Sequence, residues 1–376
     1  MKETLPLSAW EEIATGQAAA AQAAILQAQG ASPIGFIRSA DYALAPKAAR
    51  LDYITRDNTE PWFRYEHDRP ALVPALGCHQ VKDCSLHRHG ILLHGDLLLT
   101  DGSHLGSVLI EEARRLSRED RAATSALQID GPVLVFLAPG LRVFGHWLVD
   151  FLPRLQIARR ALGDTFKDLC LPVPETVPAW AIEMMMQLGG VAEDQIVRFD
   201  PASQHVSFAD GYVPTYGHAS YHFHPQTAEF WPTSPRDRGR RRLCISRKNF
   251  EGRTDGVLKN YADRMVFEAL AQDHGFELVY PETLSIADQA ALFGRASHVV
   301  GEYGSALHNM LFAPEASVVG ALRSPNDVQI RISALKRQRT VIAVPDREWT
   351  DEAGARCYST SRQTLDRFFE AVLAAP

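Results

Sequence analysis

The hydrophobic pattern is most regular in the C-terminal half of the chain. Short apolar runs at Arg242–Ser246, Glu277–Tyr280, Val299-Val300, Val318–Leu322 and Thr340–Val344 read as buried strands. Helical patterns separate them, at 260–274 (ended by Gly275), 285–294, 305–312 and Pro325 to about Lys336, with a last helix at 362–373. Two helix starts are marked. Ser285 is placed as an N-cap with Asp288 in the capping-box position. Ser324 precedes Pro325, a cap followed by proline at the first helical position. Strands alternating with helices predict a parallel, doubly wound sheet with right-handed crossovers.

The N-terminal half is less regular. Val133–Leu137 is a continuous apolar strand, followed by Pro139-Gly140 and an amphipathic run from about Gly145 to Leu162. A strand near Leu169–Val173, a helix near Ala179–Leu188, and strands near Ile196-Val197 and Val206–Val213 continue the alternation. Ile91–Thr100 and Val108–Ile110 read as further strands in a stretch, from about 45 to 130, whose order the pattern does not set. Residues 8–29, rich in alanine and glutamine, read as a helix ended by Gly30. Residues 222–240 combine Pro, Arg, Ser and Thr as an exposed linker would. The expected division is therefore a helical appendage at 1–45, an α/β domain at 46–225 and a Rossmann-like domain at 226–376.

Composition narrows the class. The 376 residues exceed what one hydrophobic core usually serves, which agrees with two domains. A net charge of −6 leaves no basic surplus to displace counterions, so nucleic acid is not an expected partner. The five cysteines are scattered without a CxxC pair and read as free thiols of a reducing compartment. The start of the chain lacks the basic end and apolar core of a secretory signal, and no stretch approaches ~18 uninterrupted apolar residues. A cytoplasmic location is expected, and peripheral membrane contact is compatible with it.

The candidate chemistry lies at predicted strand ends, where open α/β sheets bind ligands. Ser246, Arg247 and Lys248 follow the first C-terminal strand, Glu282 the second, and Glu302, Tyr303, Gly304 and Ser305 the third, with Arg323-Ser324 after the fourth. A fork and a point charge at 247 and 248 suit a diphosphate, and a glycine turn opening a helix at Ser305 would add backbone donors. Alternatively, Arg247 and Lys248 form a solvated pair. A second constellation follows the 133–137 strand: His146 and Asp150 share a helical face, with Arg154 one turn on and Pro153 set to kink or end the segment. Such a pair is either a general base with its orienting carboxylate or a helix-end pair that caps and packs. Cys78, Cys84, His87 and His89, and the H-x3-H-x-H group His218, His222 and His224, lack zinc-site spacing, so no metal is expected. There is no Walker A, no G-x-G-x-x-G and no G-x-S-x-G sequence.

Three ordered blocks resemble glycosyltransferase family 61, the DUF563 or capsular-polysaccharide type. They are His146-Trp147-Leu148-x-Asp150-x-Leu152-Pro153-Arg154-Leu155; Leu243–Lys248 followed by the 277–289 stretch; and Gly301–Pro314. The resemblance covers about residues 130 to 345. Tyr303 stands where many members carry histidine, and Lys259-Asn260 only approximates an R-x-x-N-E signature of many members.

The resemblance implies a GT-B-like α/β fold: two Rossmann-like domains with parallel sheets facing a cleft. It implies an inverting, metal-independent hexosyl- or pentosyltransferase that needs no cofactor and uses a nucleotide-sugar donor and a glycan or lipid-linked acceptor, in polysaccharide biosynthesis. Ser246, Arg247, Lys248, Glu282, Glu302, Tyr303, Gly304, Ser305 and Asn309 would then serve the donor, Asn309 chiefly by fixing the turn. His146 or Asp150 would be the base, and Arg154 would lie on the acceptor side. The rival readings are a metal-dependent hydrolase built on the histidine clusters and a non-catalytic nucleotide-sugar-binding subunit.

Overall fold

A computed structural model describes residues 4–6, 35–47, 50–56, 71–100, 112–113, 115–116, 118–231, 241–250, 259–323, 327–352 and 354–374. The expected helix at 8–29, the strand at 108–110, the linker core at 232–240 and the Ser324-Pro325 cap lie outside these residues. The fold is mixed α/β, and the chain divides into two compact units: Met1–Ala43 with Leu72–Ser220, and Leu44–Ala71 with Tyr221–Pro376.

The first unit does not carry the parallel sheet expected of it. Its main sheet runs through β1 (Leu76–His87), β2 (Ile91–His94), β3 (Leu97–Thr100) and β4 (Gln204–Pro214), with antiparallel pairings β1–β2, β2–β3 and β1–β4. The cause is loop length. The links after β1 and β2 are tight turns, and a parallel pairing needs a crossover of a dozen residues or more. Parallel pairing enters only where the chain supplies such connections. Ser125–Ile129 and Val133–Leu134 run parallel to β4. Leu171–Pro174 and Ile196–Phe199 pair in parallel across helix α1 (Ala179–Gln187). Val81, Cys84 and Leu86 of β1 pack with Val206, Phe208 and Val213 of β4 in the core of this sheet.

One long helical segment crosses the sheet. It begins as α-helix at Phe144–His146, widens to a π-helix at Trp147–Phe151, and returns to α-helix at Leu152–Leu162. Proline at 153 has no N–H to offer the preceding turn. The helix continues because the Leu152 N–H reaches the Trp147 carbonyl, a π-type closure, so the expected kink is absorbed as an insertion. Leu148, Phe151, Leu152, Leu155 and Ile157 are buried, and the segment from Leu152 packs on β1 and β4. Each such side chain contributes roughly 1.5–3 kcal/mol. The helix face that carries the candidate base is thus anchored from below.

The second unit holds the parallel sheet predicted for the C-terminal half. Its strands are β5 (Arg241–Ile245), β6 (Glu277–Val279), β7 (Ala296–Glu302), β8 (Val318–Leu322) and β9 (Arg339–Ala343). Their spatial order is β6-β5-β7-β8-β9, all parallel. The chain winds one way from β5 to β6 and the other from β7 onward, so β5 and β7 flank a topological switch point, the place where open α/β sheets accept ligands. Residues 44–71, assigned by the sequence to the preceding domain, fall in this unit. Arg50–Ile54 pairs in parallel with β9, and Arg339 Nε donates to Asp52 Oδ2 at 2.8 Å. A half-buried strand paired with a segment almost 300 residues away leaves no local signal.

Two helix predictions change in detail. The helix expected over 260–274 is Arg264–Asp273, because Lys259–Tyr261 instead pairs with Arg356–Ser359 in a three-stranded sheet. The segment expected as helix 305–312 is a 3-10 helix, Ser305–Leu311. Ile286–Phe293 is capped as predicted, with the Ser285 hydroxyl accepting from the Asp288 N–H at 3.1 Å.

Candidate active site

The π-insertion sets the geometry of the first constellation. It keeps His146 and Asp150 on one face, and His146 Nδ1 lies 2.6 Å from Asp150 Oδ2. The other carboxylate oxygen, Oδ1, meets His218 Nε2 at 2.7 Å. The Asp150 and His218 side chains are 0% exposed, whereas that of His146 is 24% exposed. A solute can therefore reach His146 but neither partner. Burial pushes the Asp150 carboxyl upward, but hydrogen bonds from His146 and His218 outweigh it and hold the group below the usual carboxylate range. An ionised carboxylate only accepts, so both imidazoles donate to it: Nδ1–H from His146 and Nε2–H from His218. In a neutral His146 ring, that bond leaves the lone pair on Nε2. The opposite edge of the ring lies on Gly140, whose φ is +100°; a Cβ there would sit 2.7 Å from His146 Cδ2.

Arg154, expected on the acceptor side, is engaged within the first unit. It is 3% exposed, donates from Nε to the Pro214 carbonyl at 3.0 Å, and lies 4.5 Å from the Tyr216 ring centroid. The Tyr216 ring in turn meets His218 edge to face at 5.8 Å. Arg154 thus holds the segment that delivers His218. Sequence reasoning weighed His218 only as a metal ligand with His222 and His224. The signal that could have singled it out is its position just past the β4 strand, at the edge of the sheet that the His146 helix crosses. The two histidine clusters are dispersed. His87 pairs with Ser85 and stacks on His205, His89 approaches Thr176, and His224 Nδ1 accepts from the Gln226 N–H. Among the described residues no group of three or more His, Cys, Asp and Glu is arranged to hold a metal ion.

In the second unit, the switch point brings Arg247 and Gly304 together. A Cβ on Gly304 would lie 2.3 Å from Arg247 Nη1, so the guanidinium occupies the space that a side chain at 304 would take. Phe250 flanks it, with the guanidinium carbon 5.3 Å from the ring centroid. Ser246 is buried, and its hydroxyl accepts from the Lys248 N–H at 3.2 Å, closing the strand-to-turn corner. The Lys248 side chain is exposed beside it, and Glu282 accepts from Asn249 Nδ2 at 2.7 Å. Tyr303, Gly304 and Ser305 are half-buried at the same edge.

Two of the expected donor residues, Glu302 and Asn309, are buried and bonded to other side chains. Glu302 is 3% exposed and is held by Arg264 Nε at 2.5 Å and by the Tyr358 hydroxyl at 3.1 Å. Alternation along β7 explains this: Glu302 points to the side covered by the helix Arg264–Asp273. Asn309 is fully buried and donates to Gln289 Oε1 at 3.0 Å and to the Ala306 carbonyl at 3.1 Å, tying the turn as expected.

No curated protein matches the chain. A family model described as Glycosyltransferase 61 matches residues 144–320, a stretch that opens just before His146 and takes in Asp150, His218, Arg247 and Gly304. Residues 144–320 of this chain belong to glycosyltransferase family 61.

Proposed function

We propose that the protein is an inverting, metal-independent glycosyltransferase that moves a hexose or pentose from a nucleotide-sugar donor to a hydroxyl of a glycan or lipid-linked acceptor, in polysaccharide assembly in the cytoplasm. The observation that carries this reading is the 2.6 Å contact of His146 with the buried Asp150 inside the family segment. A carboxylate fixed on Nδ1 leaves Nε2 as the basic atom of a partly exposed ring, the arrangement that a general base requires. Asp150, sealed from solvent, orients His146 and stabilises its imidazolium rather than taking the proton itself.

His146 Nε2 accepts the proton of the acceptor hydroxyl. The oxygen attacks the anomeric carbon from the face opposite the nucleotide. The bond from that carbon to the diphosphate oxygen breaks, and its electron pair leaves with the phosphate. Arg247 and Lys248 meet that charge, Arg247 as a seated fork and Lys248 as a mobile point charge. In this reading the second unit serves the donor and the first unit the hydroxyl, the division of labour of a GT-B enzyme. Two cations at a switch point supply the positive charge that a divalent ion brings in other transferases.

The test is a panel of nucleotide sugars screened for transfer and for slow donor hydrolysis, with and without EDTA. Turnover is expected to persist in EDTA, to fall by about 10³-fold or more in Asp150→Asn through loss of the oriented tautomer, and to leave nucleotide binding unchanged in that variant. Full turnover in both Asp150→Asn and Arg247→Ala would remove the mechanism.

A further inference from the structure

Asp150 has two imidazole donors, and the reaction as proposed uses only one. We infer that His218 is a positioning residue: it anchors the distal oxygen of Asp150 so that the proximal oxygen holds His146 in its Nδ1–H tautomer, with Nε2 left bare. This rests on the reading of His146 as the base.

The geometry argues for it in three steps. A carboxylate rotates about its Cβ–Cγ bond, so a single hydrogen bond to Oδ2 does not fix its plane. The second bond, His218 Nε2 to Oδ1 at 2.7 Å, does. Next, Oδ1 is buried, and a buried carboxylate oxygen without a donor is strongly unfavourable. Without His218, Oδ1 loses this 2.7 Å bond, and the carboxylate is free to turn, to draw in water or to take up a proton. Each of these loosens its hold on Nδ1. Finally, His218 is itself immobilised. Its ring packs on Tyr216, Tyr216 lies under the Arg154 guanidinium, and Arg154 is tied to the Pro214 carbonyl. Asp150 and Arg154 are four residues apart on the same segment, so the helix positions the carboxylate directly and its second donor through Arg154. Among the described residues, His146 and His218 bond the carboxylate, and Tyr216 and Arg154 stand behind His218.

The reading separates His218 from a residue that merely packs. A packing residue would affect stability; a positioning residue changes the state of a different imidazole, that of His146. The experiment uses the full chain labelled with ¹⁵N only in histidine, without substrate, and long-range ¹H–¹⁵N spectra near neutral pH. His146 is assigned by its disappearance in His146→Gln. In the wild type, His146 should give the single pattern of an Nδ1–H, bare-Nε2 ring. In His218→Ala that pattern should collapse to averaged tautomers. In His218→Gln, whose amide can donate from nearly the same place, it should return. If His218→Ala does not fold, His218→Asn, with an amide too short to reach Oδ1, takes its place in the comparison. An unchanged His146 pattern in a folded His218→Ala or His218→Asn protein overturns the inference. Because the spectrum is read without turnover, failure to find any donor would count against glycosyl transfer and leave this result standing.

Discussion

Placing a methyl group on Gly304 is the most direct test of the donor site, because it moves one side chain and nothing else. The φ of Gly304 is 177°, extended backbone that alanine adopts without strain. The new Cβ would lie 2.3 Å from Arg247 Nη1, where ordinary contact begins at 3.4 Å, so the guanidinium must retreat by about 1 Å. The obstacle is the far end of a flexible side chain, so folding should be little affected, with a change below about 1 kcal/mol. A nucleoside diphosphate, in contrast, would lose the seated fork. A charge-assisted hydrogen bond contributes about 1.5–3 kcal/mol, or roughly 10- to 150-fold in Kd. Isothermal titration with the tightest-binding member of a nucleoside diphosphate panel measures this, with a thermal melt as control. Arg247→Ala should weaken binding by a similar factor, and Gly304→Ala should add little on top of it, since both remove one interaction. Wild-type affinity in Gly304→Ala alongside weak binding in Arg247→Ala would refute the seat. A melting temperature lowered by more than about 5 °C would mean that the glycine serves the fold.

Three further outcomes follow. Glu302→Gln breaks the buried pair with Arg264, so it should cost about 3–5 kcal/mol and lower Tm by at least about 6 °C; a fully stable variant would return Glu302 to the donor site. His79 is held near neutral form by burial and by the nearby Arg154, its pKa lowered to about 4 from an ordinary 6.5. The unfolded chain therefore binds a proton below about pH 6.5 that the native protein refuses until about pH 4, so stability is lost as pH falls through that window. Between pH 7 and pH 5 this amounts to about 2 kcal/mol, and urea titrations should show His79→Phe losing that much less than the wild type over the same interval. Gly140→Ala combines a positive φ with a clash against His146, so it should destabilise by about 1–3 kcal/mol and perturb the His146 imidazole spectrum; an unperturbed spectrum would detach Gly140 from the site.

The parallel run β5 to β9 of the second unit was legible in the sequence because its strands are short apolar runs separated by helical patterns. Arg247 and Gly304 could be assigned to strand ends from that text alone. What the sequence did not carry was which side chain faces which way at those ends. Glu302 and Gly304 are two residues apart, yet one is sealed under Arg264 and Tyr358 and the other is filled by a guanidinium. The first unit was misread as parallel because hairpin turns in the 88–96 region do not stand out among mixed polar residues, and pairing direction is a property of those turns. The His146–Asp150 pair was visible as an i, i+4 spacing. Its second donor was not, since His218 is 68 residues away from Asp150 and only the fold brings it there.

The strand Arg50–Ile54 completes a sheet whose neighbouring strand begins at Arg339. Asp52 and Arg339 are 287 residues apart in the chain. At roughly 5–20 residues per second of synthesis, the early segment waits about 15–60 s for its partner to leave the ribosome. During that wait its backbone amides are an open template for other chains. The second unit is therefore a late-maturing piece of the molecule, and a fragment starting at residue 221 would lack the strip that seals its edge. Any attempt to express that half in isolation should carry residues 44–71 with it, supplied in trans or fused by circular permutation, or expect a sticky, aggregating product.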